Sequence, residues 1–303
     1  MRLIAVSVCL FAASATAAEV TPAERNEQAN AAMDAKEYGR CAELLMANAS
    51  LQQGEPAGDT LFSAGQCYLL DGKVDKAFAA LNESVAAGMH SRYRVEYTDD
   101  LKPLHVDPRW PKLVAAAQAR FDAYEKTLPE PALHRELLGM FEQDQVTRRS
   151  GLASEFKDPA VMASIEALER KHTRRLKEIV AAQGFPKSSA VGVDGVRSAW
   201  LLVQHADSDV ALQKRCLAEI EPLVKTGELK PKSYALLVDR VAVNEKRKQV
   251  YGTQLNAQHE LQPIEDEEHV DERRKAMGLP PLSEYKKTLE ARFGATPKSP
   301  KEK

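Results

Sequence analysis

The chain has 303 residues and a formal charge of −2, with 42 Lys and Arg well mixed among 44 Asp and Glu. That balance excludes the concentrated basic face of a nucleic-acid binder, and an aromatic content of 6% gives no base-stacking surface. Hydrophobic residues at 44% are enough for real cores, and the length suits two helical domains.

Residues 1–18, MRLIAVSVCLFAASATAA, place Arg2 before an apolar run from Leu3 to Ala13 and end on the small residues Ala15 and Ala17. A cationic start, a short apolar core and an A-x-A site read as a signal peptide, the alternative being a plain hydrophobic helix. The run is shorter than the roughly 20 residues that span a bilayer. Bulky Val8 stands before Cys9 where a lipid anchor needs a small residue. No stable membrane anchor is expected, and the Ala-rich leader, bacterial in style, points to a periplasmic or secreted protein. Cleavage leaves Cys41, Cys67 and Cys216. An odd count in an oxidising compartment suggests one disulfide and one free thiol, and Cys216 falls on an apolar helix face.

Residues 19–125 read as helical hairpins. Gly65, Tyr68, Gly72, Ala77 and Leu81 follow one another as small residue, aromatic, turn glycine, small residue and large apolar residue. In a weaker copy upstream, Tyr38, Cys41 and Leu45 fall where Val74, Ala77 and Leu81 fall in the second. This order resembles the tetratricopeptide repeat, in which small residues let antiparallel helices approach closely. The resemblance puts Cys41 and Cys67 on neighbouring helices, where a disulfide is sterically allowed; two separate core cysteines are the alternative. Asp107 ahead of Pro108 predicts a helix start, and Trp110 reads as a plug for the repeat core.

KTLPEPA, residues 126–132, predicts a linker. A helical domain follows over 133–294, and a disordered tail over 295–303. Leu133, Leu137, Met140, Asp144 and Arg148 recur at helical steps, so a carboxylate and a guanidinium extend an apolar stripe and can pair at i, i+4. Asp158, Pro159 and Gly184 bracket the best-defined helix, whose stripe puts His172 where leucine would be expected. Asp194 reads as the cap of a helix ending in Gln204 and His205, and one of Asp207, Ser208 or Asp209 starts the next. Asp239 and Arg240 interrupt another apolar stretch. VYGTQLNAQHELQPIED, with Tyr251 and Gln254, loses the helical period and predicts two short strands or an ordered loop. The fold class is therefore mainly α, with tetratricopeptide-like hairpins in front of a helical domain that carries a short β-hairpin.

FEQDQVTRR, AWLLVQHAD, LLVDRVAV, VYGTQ and PIEDEEHVDERRKAMGLPPLSEY together resemble a bacterial family of unknown function marked by QHAD and YGTQ motifs, over about residues 132–293. That resemblance implies the domain boundary and no activity.

Asp144, Arg148, His172, Gln204, His205, Asp239 and Arg240, with Tyr251 and Gln254, are polar residues at buried-looking positions. Burying them costs several kcal/mol unless they satisfy one another. They form either a network that locks the helices or a pocket for a small polar ligand, where histidine, carboxylate and arginine suit acid–base chemistry on an anionic or amide substrate. A lone histidine on an apolar stripe such as His172 is more often a hydrogen-bonded core residue than a ligand. No G-x-S-x-G elbow, Gly-rich phosphate loop or HExxH helix occurs, so no cofactor and no metal are expected. HADSD invites a metal reading, yet acids at a helix junction are the ordinary cap of the next helix. The leading expectation is a protein that binds another protein through its repeats; a hydrolase-like enzyme and a small-ligand sensor are the alternatives.

Overall fold

A computed structural model describes residues 20–293 of the chain, except residues 155 and 257. The expected signal peptide (1–18) and tail (295–303) lie outside the described residues. The fold is mainly α, in two compact units divided between Asp122 and Ala123.

The first unit contains α1 (Pro22–Asp34), α2 (Tyr38–Ala49), α3 (Glu55–Leu70), α4 (Val74–Ala87) and the short α5 (Arg92–Tyr97). A 3-10 turn over Asp99–Leu104 leads into α6 (Trp110–Glu125). Thr21 and Glu24 cap α1 reciprocally around Pro22. Small residues let the first four helices pack closely. A β-carbon on Gly58 would stand 2.5 Å from the Met89 amide nitrogen and 2.9 Å from the Ser84 carbonyl oxygen. Ser84 donates its hydroxyl to the Gly58 carbonyl at 2.7 Å, which closes the same contact. Cys41 on α2 and Cys67 on α3 form a disulfide, with their α-carbons 6.1 Å apart. The bond sits in a cluster of small residues and Tyr68. A larger cluster around Phe62, Leu81 and Leu101 has Trp110 packed against it. The helix expected at Pro108 begins at Trp110 instead, because the Asp107 carboxylate accepts from the Arg109 amide and side chain and holds a turn there.

The second unit contains α7 (Pro131–Ala153), α8 (Pro159–Gln183), α9 (Ser188–Gln204), α10 (Val210–Lys225) and α11 (Pro231–Asn244). After a 3-10 turn at Glu267–His269 come α12 (Val270–Ala276) and α13 (Leu282–Phe293). Asp158 accepts from the amides of Ala160 and Val161 to start α8, and Gly184 at φ 80° ends it. α9 breaks at Gly192, where φ is 71° and the Tyr124 hydroxyl occupies the space a β-carbon would need. Asp194 starts the run after this break, its carboxylate accepting from the Gly195 amide. The core of α7–α11 includes Leu176, Val196, Trp200, Ile220 and Leu237, with the thiol of Cys216 buried among them.

The expected β-hairpin does not form among the described residues. Only isolated bridges join Gln249 to Ile264 and Leu255 to Leu261. The amides a ladder would use are taken by side chains: Val250, Tyr251 and Thr253 donate to Asp239, and Gln254 donates to the Gln249 side chain. The described residues between 249 and 264 form a loop held by these side-chain bonds.

Candidate functional site

α9 ends at a corner where four other helices meet, and the polar residues of Q-H-A-D-S-D between them tie that corner to all four. Gln204 donates to the Leu236 carbonyl of α11 at 3.3 Å. His205 Nδ1 lies 2.8 Å from Asp144 Oδ2 of α7. Asp207 Oδ1 accepts from Asn244 of α11 at 2.8 Å and Gln213 of α10 at 3.3 Å, and forms an ion pair with Arg240 of α11 at 3.2 Å. The Ser208 amide donates to Glu169 of α8 at 3.0 Å, and Asp209 caps α10 while pairing with Lys177 at 2.7 Å.

At the centre is a carboxylate-oriented histidine. Asp144 Oδ1 accepts from Arg148 Nε at 2.9 Å, the i, i+4 pair visible in the sequence. Burial pushes the Asp144 carboxyl up, but the hydrogen bond and charge of His205 and the Arg148 guanidinium outweigh it and hold it down to about 2. An ionised carboxylate can only accept, so Nδ1 of His205 carries the proton of their hydrogen bond. Burial lowers the His205 pKa below the ordinary histidine value against the pull of Asp144, and Arg148 and Arg240 lower it further. The imidazole is then neutral at pH 7, with its lone pair on Nε2. That atom has no partner among the described residues and is not sealed from solvent, the side chain being 16% exposed. Arg240 is held beside it by the Gln204 carbonyl at 3.2 Å and by Asp207. A neutral imidazole, fixed at one nitrogen and open at the other, with two guanidiniums near, can abstract a proton or accept one from a bound anion. The buried Oε1 of Gln204 also lacks a partner.

The nine residues expected to cluster divide into two groups and one outlier. Asp144, Arg148, Gln204, His205 and Arg240 form the corner. Asp239 does not pair with Arg240. It points to the loop and accepts four hydrogen bonds of 2.8–2.9 Å, from the amides of Val250, Tyr251 and Thr253 and the Thr253 hydroxyl. Burial raises its pKa and those four donors pull it back. Tyr251 is buried with its phenol pKa pushed up, mainly by burial. Gln254 donates to Thr253 Oγ1 at 3.0 Å and to the Leu236 carbonyl at 3.4 Å. His205, Asp239 and Tyr251 therefore do not share one hydrogen-bonded centre, because the loop amides claim Asp239. His172, the outlier, is buried near Asp144 with neither ring nitrogen hydrogen-bonded.

Among the buried groups that sequence reasoning missed, Arg274 and His134 carry charge or can titrate. Arg274 is 1% exposed. It donates to the carbonyls of Tyr251, Gly252 and Pro280 and lies over the Tyr285 ring. In a run as charged as EEHVDERRKAMG it looks like one more solvated cation. His134 is fully buried with Asp194 at 3.1 Å and Glu125 at 3.5 Å, and its position inside the Leu133–Leu137 stripe was the available signal.

These features define a helical unit whose junction holds a histidine–carboxylate dyad between arginines. The chain belongs to the family of unknown function DUF6624, whose model matches residues 131–298. No curated protein and no solved structure matches it. Among the described residues no helix is long and apolar enough to cross a membrane.

Proposed function

We propose that the α7–α11 corner is an acid–base site for a small anionic substrate, with His205 as the proton-transfer group and Arg148 and Arg240 as its charge clamp. One observation carries this reading: His205 Nε2 stays open toward solvent, and the Oε1 of Gln204 beside it is unpartnered, while Asp144 fixes the ring's other nitrogen. A purely structural corner gains nothing from an unpartnered nitrogen beside two cations. The test is a thermal-shift screen of small carboxylates and phosphate esters, with each hit followed by NMR for conversion. Conversion by the wild-type protein that His205→Gln abolishes, with helical content unchanged, supports the assignment. Conversion that survives His205→Gln, or no hit at all, removes it.

Export to the periplasm or medium is the compartment we infer. The leader-like residues 1–18 and the Cys41–Cys67 disulfide support it. For the first unit the reading remains that its hairpins, which resemble tetratricopeptide repeats, contact another protein; the close packing of successive helices, α1 on α2, α2 on α3 and α3 on α4, supports it. Cell fractionation, and pull-down with the Cys41–Cys67 pair intact, test the two statements.

A further inference from the structure

α7 and α8 flank a groove of about 490 Å³, lined by Gly139, Met140 and Gln143 on one side and Lys171, His172 and Arg174 on the other. His172 is 3% exposed, and both of its ring nitrogens are buried without a hydrogen bond. Each unpartnered buried polar group costs about 1–3 kcal/mol, and nothing in the helix packing recovers that. The groove is also positive on a chain of net charge −2. Its lining carries the cations Arg135, Lys171, Arg174 and Arg175 against the carboxylates Glu136 and Glu178. Those carboxylates are both engaged by Arg175, at 2.6 and 2.8 Å, and Arg135 pairs with Glu125. Lys171 and Arg174, both exposed, have no ion-pair partner among the described residues. The floor adds an independent observation. Gly139 sits in the middle of a 23-residue helix, and a β-carbon there would meet nothing within 4 Å. Glycine in a helix interior costs about 0.5–1 kcal/mol relative to alanine, and no close packing requires it here. What it does is leave the groove open beside Met140.

We infer that this groove is a binding site for a small organic anion, whose carboxylate or phosphate head meets Lys171, Arg174 and a ring nitrogen of His172 while its apolar part rests on Met140 and the Gly139 backbone. The site is independent of the His205 assignment. A neutral imidazole presents one N–H and one lone pair, so an anion oxygen accepts from the N–H and satisfies a nitrogen left bare. A groove of this size matches small-molecule sites, where a few fixed polar groups orient a ligand over an apolar floor.

The experiment titrates the full chain, with its histidines labelled at Cε1, with phenyl phosphate and separately with benzoate, following the His172 resonance by NMR. That resonance is assigned by its disappearance in His172→Gln. A saturable movement of the His172 signal is expected with at least one probe, and the probe that saturates at lower concentration identifies the head group. In the Lys171→Ala/Arg174→Ala double variant, two exposed changes that keep the fold, binding is expected to weaken about tenfold or more. Gly139→Leu fills the groove and is expected to abolish the movement while the protein still melts cooperatively. His205→Ala removes a partner of Asp144, which His172 senses, and so moves the free His172 signal, but the probe concentration at half-saturation is expected to stay the same, which keeps this site's outcome separate from the corner's. Silence of His172 with both probes, or an identical curve in the double variant, overturns the inference.

Discussion

Gln204 and Gln254 donate their side-chain amides to one acceptor, the Leu236 carbonyl, at 3.3 and 3.4 Å. The end of α9 and the loop after α11 are thus joined through a single backbone oxygen of α11. Beside that oxygen, Asp239 holds the loop and Arg240 holds the α9 corner. One turn of one helix therefore organises both polar motifs, and replacing either residue should disturb a different partner.

Asp239→Ala strands three loop amides and a hydroxyl with no acceptor. Each orphaned buried donor costs about 1–3 kcal/mol, and partial solvation of the loop brings the sum to about 3–5 kcal/mol. Urea unfolding followed by circular dichroism measures it, and Asp239→Asn, which keeps one acceptor oxygen, should lose less. A loss below 1 kcal/mol for the alanine variant contradicts the role given to this carboxylate.

Stability should fall as pH drops below 7. The pKa values of His172 and His205 are both held below the ordinary histidine value of 6.5, first of all by burial. On acidification the unfolded chain takes up these protons before the folded one. Their contribution is therefore complete above about pH 6.5 and declines as pH falls toward each folded value, at about 1.4 kcal/mol per pH unit for each proton. Asp144 behaves alike further down: with a folded pKa of about 2 against 3.8, its contribution is lost as pH falls through that interval. Unfolding free energies at pH 7.5, 6.5 and 5.5 check the first window, and His172→Gln should flatten the slope by up to one proton. A flat or opposite slope in the wild-type chain contradicts the neutral-histidine assignment.

Reducing the Cys41–Cys67 disulfide should destabilise the first unit by about 3.5 kcal/mol, the chain-entropy value for a loop closed over a separation of 26 residues. Calorimetry with and without reductant reads this directly, with Cys41→Ala/Cys67→Ala as control. The buried thiol of Cys216, its pKa pushed up to about 12 by burial, should stay unalkylated until urea opens the second unit. Peptide mass spectrometry locates the label, and rapid modification in native buffer would sink this expectation.

Gly58→Ala should be among the most damaging small changes in the first unit. The β-carbon meets backbone of Met89 and Ser84 rather than a side chain that can swing aside, so the α3–α4 pair must separate, at a cost of about 1–3 kcal/mol. Thermal unfolding measures it. An unchanged melting temperature would mean that the two helices have slack at this point.

Much of this was legible in the sequence for a common reason: local signals act over short spans. Asp158, Pro159 and Gly184 delimit α8 because caps work within one turn. Asp144 and Arg148 pair because four residues make one helical step. His172 was visible as a polar break in an apolar stripe. What could not be read were the long-range partners. Asp239 bonds backbone amides 11–14 residues away, and an amide carries no mark in a sequence. The same bonds remove the donors that an alternating stretch would otherwise give to a strand, which is why the hairpin expectation failed. Arg274 stayed hidden because its acceptors are three carbonyls and its neighbours in sequence are charged.

The loop wound on Asp239 also bears on the order in which the molecule is assembled. Its amides have no strand to join, so their acceptor exists only once the helix bearing that carboxylate has formed. Arg274, in turn, finds two of its carbonyls only after the loop has closed. A nascent chain meets these requirements in the direction of translation: scaffold helix, then loop, then the terminal pair of helices. A circular permutant that emerged from the ribosome with residue 249 first would reverse that sequence and leave its leading segment without a template.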